Sequence, residues 1–131
     1  MKAAYLTGNA IDLLQNGSEF FPALIAAIDA AEREFHLETY IFEDDATGRA
    51  VAGALCRAAR RGVAVRVLAD GFGAADFVAT LRPQLEAAGV QVLVYRPEIA
   101  RFRLRRHRLR RLHRKLAVAD LGPKRVKRYR Q

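Results

Sequence analysis

The sequence predicts an α/β fold, with a mainly parallel or mixed sheet of about five strands and helices on both faces. Segments rich in β-branched and aromatic residues alternate with amphipathic segments of about a dozen residues, which is the pattern of right-handed βαβ crossovers. The 131 residues are 51% hydrophobic, so one domain with a real core is expected. No apolar run reaches the roughly 18 residues of a membrane span, and the N-terminus does not read as a signal peptide.

The first half of the chain predicts two strands and two helices. An Asn16-Gly17 turn separates the first strand from a helix with Ser18 as its N-cap, and Gly62 stands where the second helix needs a C-terminal cap. The predicted ranges are a short strand over 9–14, a helix up to about Arg33, a strand over Glu34 to Phe42 and a helix over Arg49 to Arg61.

The second half continues the alternation. Pro83 predicts a break or a late start in the third helix. The predicted ranges are a strand over Val63 to Ala69, a helix over Asp76 to Ala88 capped by Gly89, a strand over Val90 to Tyr95, a basic surface loop over Pro97 to Arg111 and a strand over Leu112 to Asp120. Ligands of such sheets lie beyond the carboxyl ends of parallel strands. His113 stands near the start of its strand, so it reaches that edge only if the last strand runs antiparallel.

Charge is concentrated at the C-terminal end. Residues 101–131 hold 14 of the 23 basic residues and one of the 14 acidic residues, and the whole chain carries +9. Such a block attracts phosphates of nucleic acid or of an anionic membrane surface, or it is a solvated, disordered tail. The one cysteine, Cys56, sits among alanines and predicts a buried small hydrophobe in a reducing compartment.

The most informative motif is H-x-K-x-x-x-x-D, formed by His113, Lys115 and Asp120. On a strand, residues two apart point to the same side, which places an imidazole nucleophile beside an ammonium group that can clamp a phosphate. Asp120 is an odd number of residues from His113 and is expected on the opposite face. Glu38 and Asp70 are weaker candidates, either for a site role or for a structural hydrogen bond or salt bridge.

Together with three upstream segments, this motif resembles the N-terminal half of a bacterial cardiolipin synthase of the phospholipase D superfamily. The segments are N-A-I-D-L-L-Q-N-G over 9–17, L-E-T-Y-I-F over 37–42 and R-G-V-A-V-R-V-L-A-D-G-F-G over 61–73. The resemblance covers about residues 8–120 and implies one phospholipase D-like lobe over 1–120. Residues 121–131 are then a basic tail that departs from the family.

The resemblance implies phosphatidyl transfer through a phosphohistidine, with no cofactor and no metal. His113 would be the nucleophile or, alternatively, the acid that protonates the leaving alcohol, and Lys115 would neutralise the phosphate oxygens. Asp120 would complete the motif, and Arg111 and Arg114 would bind the phosphate or head group. The implied partners are an anionic, phosphatidylglycerol-like phospholipid and a membrane surface, with the protein cytoplasmic and peripheral to the inner face of the bacterial plasma membrane.

The sequence departs from the family after Asp120. Leu121-Gly122-Pro123 leads into K-R-V-K-R-Y-R-Q, where the family continues to the rest of the first site and a second motif. This favours a truncated or frameshifted product with little or no activity alone. Two alternatives stay open: a single-motif phosphodiesterase or nuclease that forms a homodimer, and a non-catalytic module that binds nucleic acid or an anionic surface.

Overall fold

A computed structural model describes residues 8, 10–96 and 112–120 in full, and the backbone of residues 126–130. Helices and strands alternate up to the third strand, as the sequence predicts, and two further strands follow. The elements are α1 (Gly17–Ala30), β1 (Glu34–Thr39), α2 (Ala46–Arg60), β2 (Ala64–Asp70), α3 (Ala75–Thr80), α4 (Arg82–Ala87), β3 (Gln91–Tyr95), β4 (Lys115–Asp120) and β5 (Val126–Arg130).

The strands form one mixed sheet in the order β3-β2-β1-β4-β5. β1, β2 and β3 are parallel, whereas β4 is antiparallel to β1 and to β5. The predicted α/β class is therefore confirmed, and the condition under which His113 could reach the ligand edge, an antiparallel last predicted strand, is met. Four of the predicted strands are present, but residues 10–14 form no strand, and β5 lies within the segment expected to be a basic tail.

The prediction of helices on both faces is wrong for the described residues. Phe35, Val65 and Ala117 point from three neighbouring strands into the core beneath α1, α2 and α4, whereas His36 and Arg66 lie on a face that no described helix covers. The reason lies in the strand order. Because β1, β2 and β3 follow one another in a single direction, successive right-handed crossovers place their helices on the same face.

Two helices begin earlier than the sequence predicts, at residues whose side chains cap the backbone. Asn16, rather than Ser18, is the N-cap of α1, since its Oδ1 accepts from the backbone N–H of Ser18 at 2.9 Å. Asp45 caps α2 in the same way by accepting from the N–H of Gly48 at 2.7 Å, so this helix begins before the predicted Arg49. The predicted break near Pro83 is confirmed, because α3 and α4 meet at Leu81.

The core fills the layer between the sheet and the helices. Phe35, Phe77, Ile28 and Leu55 are its largest fully buried apolar side chains, and each contributes about 1.5–3 kcal/mol by leaving water. Cys56 is half-buried at the edge of this core rather than fully buried. Among the helices described, none combines the length and apolar character that crossing a bilayer demands.

Candidate active site

The carboxyl end of β1 and the amino end of β4 meet at one edge of the sheet. Thr39, the last residue of β1, pairs directly with Lys115, the first residue of β4. β1 and β2 are parallel, so the carboxyl end of β2 at Asp70 lies at the same edge of the sheet. The antiparallel course of β4 thus brings the H-x-K motif to the edge where parallel sheets bind ligands.

His113 is exposed and lies two residues before β4, outside the strand that was predicted to include it. Its imidazole stacks on the ring of Tyr40, with 4.6 Å between the ring centroids and 27° between the planes. Tyr40 directly follows β1, and the hydroxyl of Thr39 donates to the carbonyl of Ile41 at 2.7 Å, which closes the turn around it. Tyr40 was not predicted as a site residue, because the sequence places it inside the strand predicted over Glu34 to Phe42.

Lys115 is exposed and stands on the side of β4 that faces the helices, because Ala117 and Ala119 follow it into the core at intervals of two. A cavity of about 250 Å³ opens beside Lys115. Its wall is mainly apolar and includes Phe20, Phe21, Leu24, Ile41, Phe42 and Val51. A cation therefore stands at the margin of an apolar recess, an arrangement suited to a ligand with an anionic part and a hydrocarbon part.

Acidic residues line another part of this cavity. Glu43 and Asp45 contribute to its wall close to the N-terminus of α2, and Glu38 contributes from β1. The neighbouring Asp44 carboxylate accepts from the guanidinium of Arg49, and this hydrogen bond, with a second one from Thr80, lowers the pKa of Asp44. The same bond raises the pKa of Arg49. Asp44 and Arg49 are thus engaged with each other rather than with the cavity.

Asp120 lies at the opposite end of β4 from Lys115. A rise of about 3.4 Å per residue separates the two by roughly 17 Å along the strand. Residues of β4 alternate between the helix side and the open side, and Asp120 belongs to the open side, as its parity predicted. Its carbonyl oxygen accepts from the N–H of Glu32 at 3.3 Å. The structure does not bring Asp120 to His113 or Lys115.

The Asp70 carboxylate is fully buried and is shared by two segments of the chain. Its Oδ1 accepts from the backbone N–H groups of Phe72 at 2.9 Å and Gly73 at 3.4 Å. Its Oδ2 accepts from the N–H of Leu112 at 2.8 Å. Of the two readings that the sequence left open for Asp70, the structural hydrogen bond is the one observed.

Arg114, which stands between His113 and Lys115, forms an ion pair with Glu38. The Nη1 of Arg114 lies 3.0 Å from the Oε2 of Glu38, and 66% of the Arg114 side chain is exposed. Glu38 therefore has a structural partner, and the role of Arg114 in head-group binding stays a prediction. Arg111 and the predicted loop over 97–111 lie outside the described residues.

No three of the His, Cys, Asp and Glu residues in the described part of the chain gather into a group that could hold a metal ion. Lys115 and His113 are instead the groups presented at the sheet edge, and neither needs a cofactor to contact a phosphate. Metal-free chemistry stays a prediction from the resemblance.

Comparison with known proteins decides the family. A family model described as the phospholipase D-like domain of cardiolipin synthase matches residues 24–126, which include the whole motif. The chain belongs to this family. The domain is 41% identical to cardiolipin synthase B of Escherichia coli K12 over 120 residues, which is 92% of this chain and 29% of that protein. It is 34% identical over 121 residues to a cardiolipin synthase of Oceanobacillus iheyensis, which is 91% of this chain and 24% of that protein.

A solved structure shows the same fold. The phospholipase D family member Nuc from Salmonella typhimurium superimposes with a TM-score of 0.55 at 21% sequence identity, over 76% of this chain and 56% of Nuc. The phospholipase D-like domain described here spans less than a third of the length of the cardiolipin synthases that it matches. The domain boundary predicted at residue 120 stays a prediction, although the family match extends to 126.

Proposed function

We propose that this phospholipase D-like domain carries a half-site for phosphatidyl transfer of the cardiolipin synthase type. The observation that carries the proposal is the position of His113 and Lys115 where the carboxyl end of β1 meets the start of β4, in a chain that belongs to the cardiolipin synthase family. The apolar cavity beside Lys115 supports a lipid substrate, since one end of a phospholipid is anionic and the other is hydrocarbon.

In this proposal His113 is the nucleophile. An imidazole nitrogen attacks the phosphorus of a phosphodiester, a phosphorus–nitrogen bond forms, and the bond to the leaving alcohol oxygen breaks. The leaving oxygen takes a proton from a general acid supplied by a second motif, and an acceptor alcohol later displaces the imidazole. If His113 is instead the acid, the second motif supplies the nucleophile.

Lys115 stabilises the charge that builds on the non-bridging phosphate oxygens. A preorganised cation at this position acts mainly in the transition state, and removal of one such group typically costs on the order of 10²- to 10³-fold in rate. The sequence holds one H-x-K motif, and general acid catalysis typically contributes about 10²- to 10⁴-fold. We therefore expect the chain to have little or no turnover by itself, and a homodimer to be one way of pairing two His113 side chains.

The proposed substrate is an anionic phospholipid of the phosphatidylglycerol type, met at the cytoplasmic face of a bacterial plasma membrane. The basic residues over 101–111 would add attraction of roughly 1 kcal/mol each near an anionic surface. Nucleic acid is the competing polyanion, and competition by DNA is one outcome of the test below.

The test is a trapping experiment with phosphatidylglycerol labelled at its phosphate and presented in mixed vesicles. We expect acid-labile, protein-bound label to accumulate slowly on the wild-type chain, because labelling needs one attack by His113 and no turnover. We expect none on His113→Gln and a strong decrease on Lys115→Met. His36→Gln is the matched control, since His36 lies on the open face of the sheet and pairs with Glu34. Equal labelling of wild type and His113→Gln would exclude the nucleophile assignment, and light scattering would show whether labelling follows a dimer.

A further inference from the structure

We propose that Asp70 is a positioning residue that holds the His113 imidazole at the sheet edge. Asp70 is not among the residues that line the cavity, and its carboxylate binds backbone N–H groups, so it acts through the residues that it binds. The inference rests on the proposed function, because it treats His113 as the reacting group. Two separate chains of contacts connect Asp70 to His113.

The first connection runs through the backbone. Asp70 Oδ2 accepts from the N–H of Leu112, the residue directly before His113, at 2.8 Å. The two residues are 42 positions apart in the sequence, so this bond attaches the segment that leads into β4 to the end of β2. A hydrogen bond from a backbone N–H to a buried carboxylate is charge-assisted and about twice as strong as a neutral one.

The second connection runs through Tyr40. Asp70 Oδ1 accepts from Phe72 and Gly73, which fixes the turn after β2. Gly73 lies so close to Tyr40 that a Cβ at this position would be 2.3 Å from the Tyr40 carbonyl oxygen and 3.2 Å from its ring. The Tyr40 ring in turn stacks on His113. The turn held by Asp70 therefore supports the ring on which the imidazole rests.

A carboxylate suits this role better than an amide. Three backbone N–H groups point at the two oxygens of Asp70, and a carboxylate accepts from all of them. An Asn side chain offers one oxygen and one NH₂ group. Its NH₂ donor would then face either the backbone N–H groups of the turn or the N–H of Leu112, which are donors themselves. An Asp that only closed the turn after β2 would need no partner beyond Phe72 and Gly73. The additional hydrogen bond from Leu112 therefore indicates a role outside that turn.

The test follows the imidazole directly by NMR in the full chain. The ¹H and ¹³C signals of His113, identified by their loss in His113→Gln, report the stacking on Tyr40. We expect Asp70→Asn to move them toward their positions in Tyr40→Leu, while the His36 signals stay fixed. Gly73→Ala should move them in the same way, because its methyl group displaces Tyr40. Asp76→Asn, an exposed carboxylate at the start of α3, is the matched control.

Unmoved His113 signals in a folded Asp70→Asn variant would overturn the proposal. If that variant does not fold, Leu112→Pro decides, because proline lacks the donor while Asp70 and its turn stay intact. Unmoved signals there would overturn the proposal equally.

The labelling assay separates this inference from the proposed function. We expect Asp70→Asn to slow label formation on the order of 10²-fold with little change in vesicle binding, since small misplacements of a reacting group have effects of that size. Equal labelling rates would overturn the role of Asp70 and leave the proposed function standing. If the His113 signals move in Asp70→Asn but neither the wild type nor any variant becomes labelled, the positioning role of Asp70 stands and the proposed phosphohistidine is refuted.

Discussion

Arg114 donates from Nη1 to the Oε2 of Glu38 at 3.0 Å, across the pairing of β1 with β4. The cation between His113 and Lys115 is thus partly neutralised by a carboxylate of the neighbouring strand. This pair gives the first prediction, because Glu38 limits the charge that Arg114 can offer to an anionic ligand.

Glu38→Gln should strengthen binding to phosphatidylglycerol vesicles about fivefold, which corresponds to roughly 1 kcal/mol for one additional available cation near the surface. Vesicle co-sedimentation at a fixed ionic strength measures the change. Glu34→Gln is the control, since it alters the net charge equally but releases Arg66 and His36 on the open face. If Glu38→Gln and Glu34→Gln strengthened vesicle binding equally, the effect would come from net charge and not from the release of Arg114.

The stacking of Tyr40 on His113 gives a second prediction. Aromatic pairs in this geometry contribute about 0.5–1.5 kcal/mol beyond burial, and the exposure of His113 places this pair at the lower end. A double-mutant cycle of Tyr40→Ala and His113→Ala, measured by urea unfolding, should give a coupling of about 0.5 kcal/mol. Tyr40→Phe should retain the coupling. Additive single variants would show that the rings do not interact in solution.

Gly48 and Gly53 provide a matched pair within α2. A Cβ at Gly48 would lie 1.9 Å from the carbonyl oxygen of Glu43, whereas a Cβ at Gly53 would meet only the guanidinium of Arg57 at 3.6 Å. Gly48→Ala should lower the free energy of unfolding by about 1–3 kcal/mol through overpacking. Gly53→Ala should raise it by roughly 0.5–1 kcal/mol, because alanine loses less backbone entropy in a helix. A stabilised Gly48→Ala would contradict the tight start of α2.

Acid stability should depend on the pair formed by Asp44 and Arg49. The hydrogen bond from Arg49, followed by that from Thr80, lowers the pKa of Asp44 from 3.8, so the unfolded state binds this proton more readily than the folded state. The stabilisation is therefore fully present above the unfolded pKa and is lost as the pH falls through the lowered folded pKa.

Unfolding of wild type and Asp44→Asn at several pH values measures this effect. The difference between the two proteins should be constant near neutral pH and should shrink below about pH 4, where the carboxyl becomes protonated. In an Arg49→Gln background the pH dependence should be smaller. A wild-type advantage that persists unchanged at the lowest pH would contradict the pairing.

Local patterns were sufficient to predict most of the secondary structure. The apolar periodicity of α1, the small-residue stripe of α2 and the capping glycines Gly62 and Gly89, both at positive φ, are properties of neighbouring residues. The sequence provides only a condition for the edge position of His113, an antiparallel last strand, and the pairing of β4 with β1 meets it. The helix and cap predictions need no knowledge of contacts between distant segments, whereas the orientation of β4 depends on its pairing with β1.

The features that the sequence did not predict depend on such contacts. The covered and open faces of the sheet follow from strand order, which no single segment encodes. The bond between Asp70 and Leu112 joins residues whose spacing carries no periodic signal. Tyr40 falls inside the strand predicted over Glu34 to Phe42, whereas β1 ends at Thr39. Asn and Ser side chains are about equally good N-caps, so the sequence alone does not decide between Asn16 and Ser18 at the start of α1.

The insertion of β4 beside β1 also sets an order of assembly. His36 pairs with Arg66 across a span of 30 positions, whereas the Glu38 and Arg114 side chains meet across 76. Each doubling of such a span adds about 0.6 kcal/mol of closure entropy, so β1, β2 and β3 should join first, and β4 should join later together with its partner β5. In amide hydrogen exchange we expect β4 to open at lower free energy than β2. Lys115, and the segment directly before β4 that holds His113, should therefore join the sheet only after the parallel strands have formed. The same segment should separate from the sheet before those strands when the protein is destabilised.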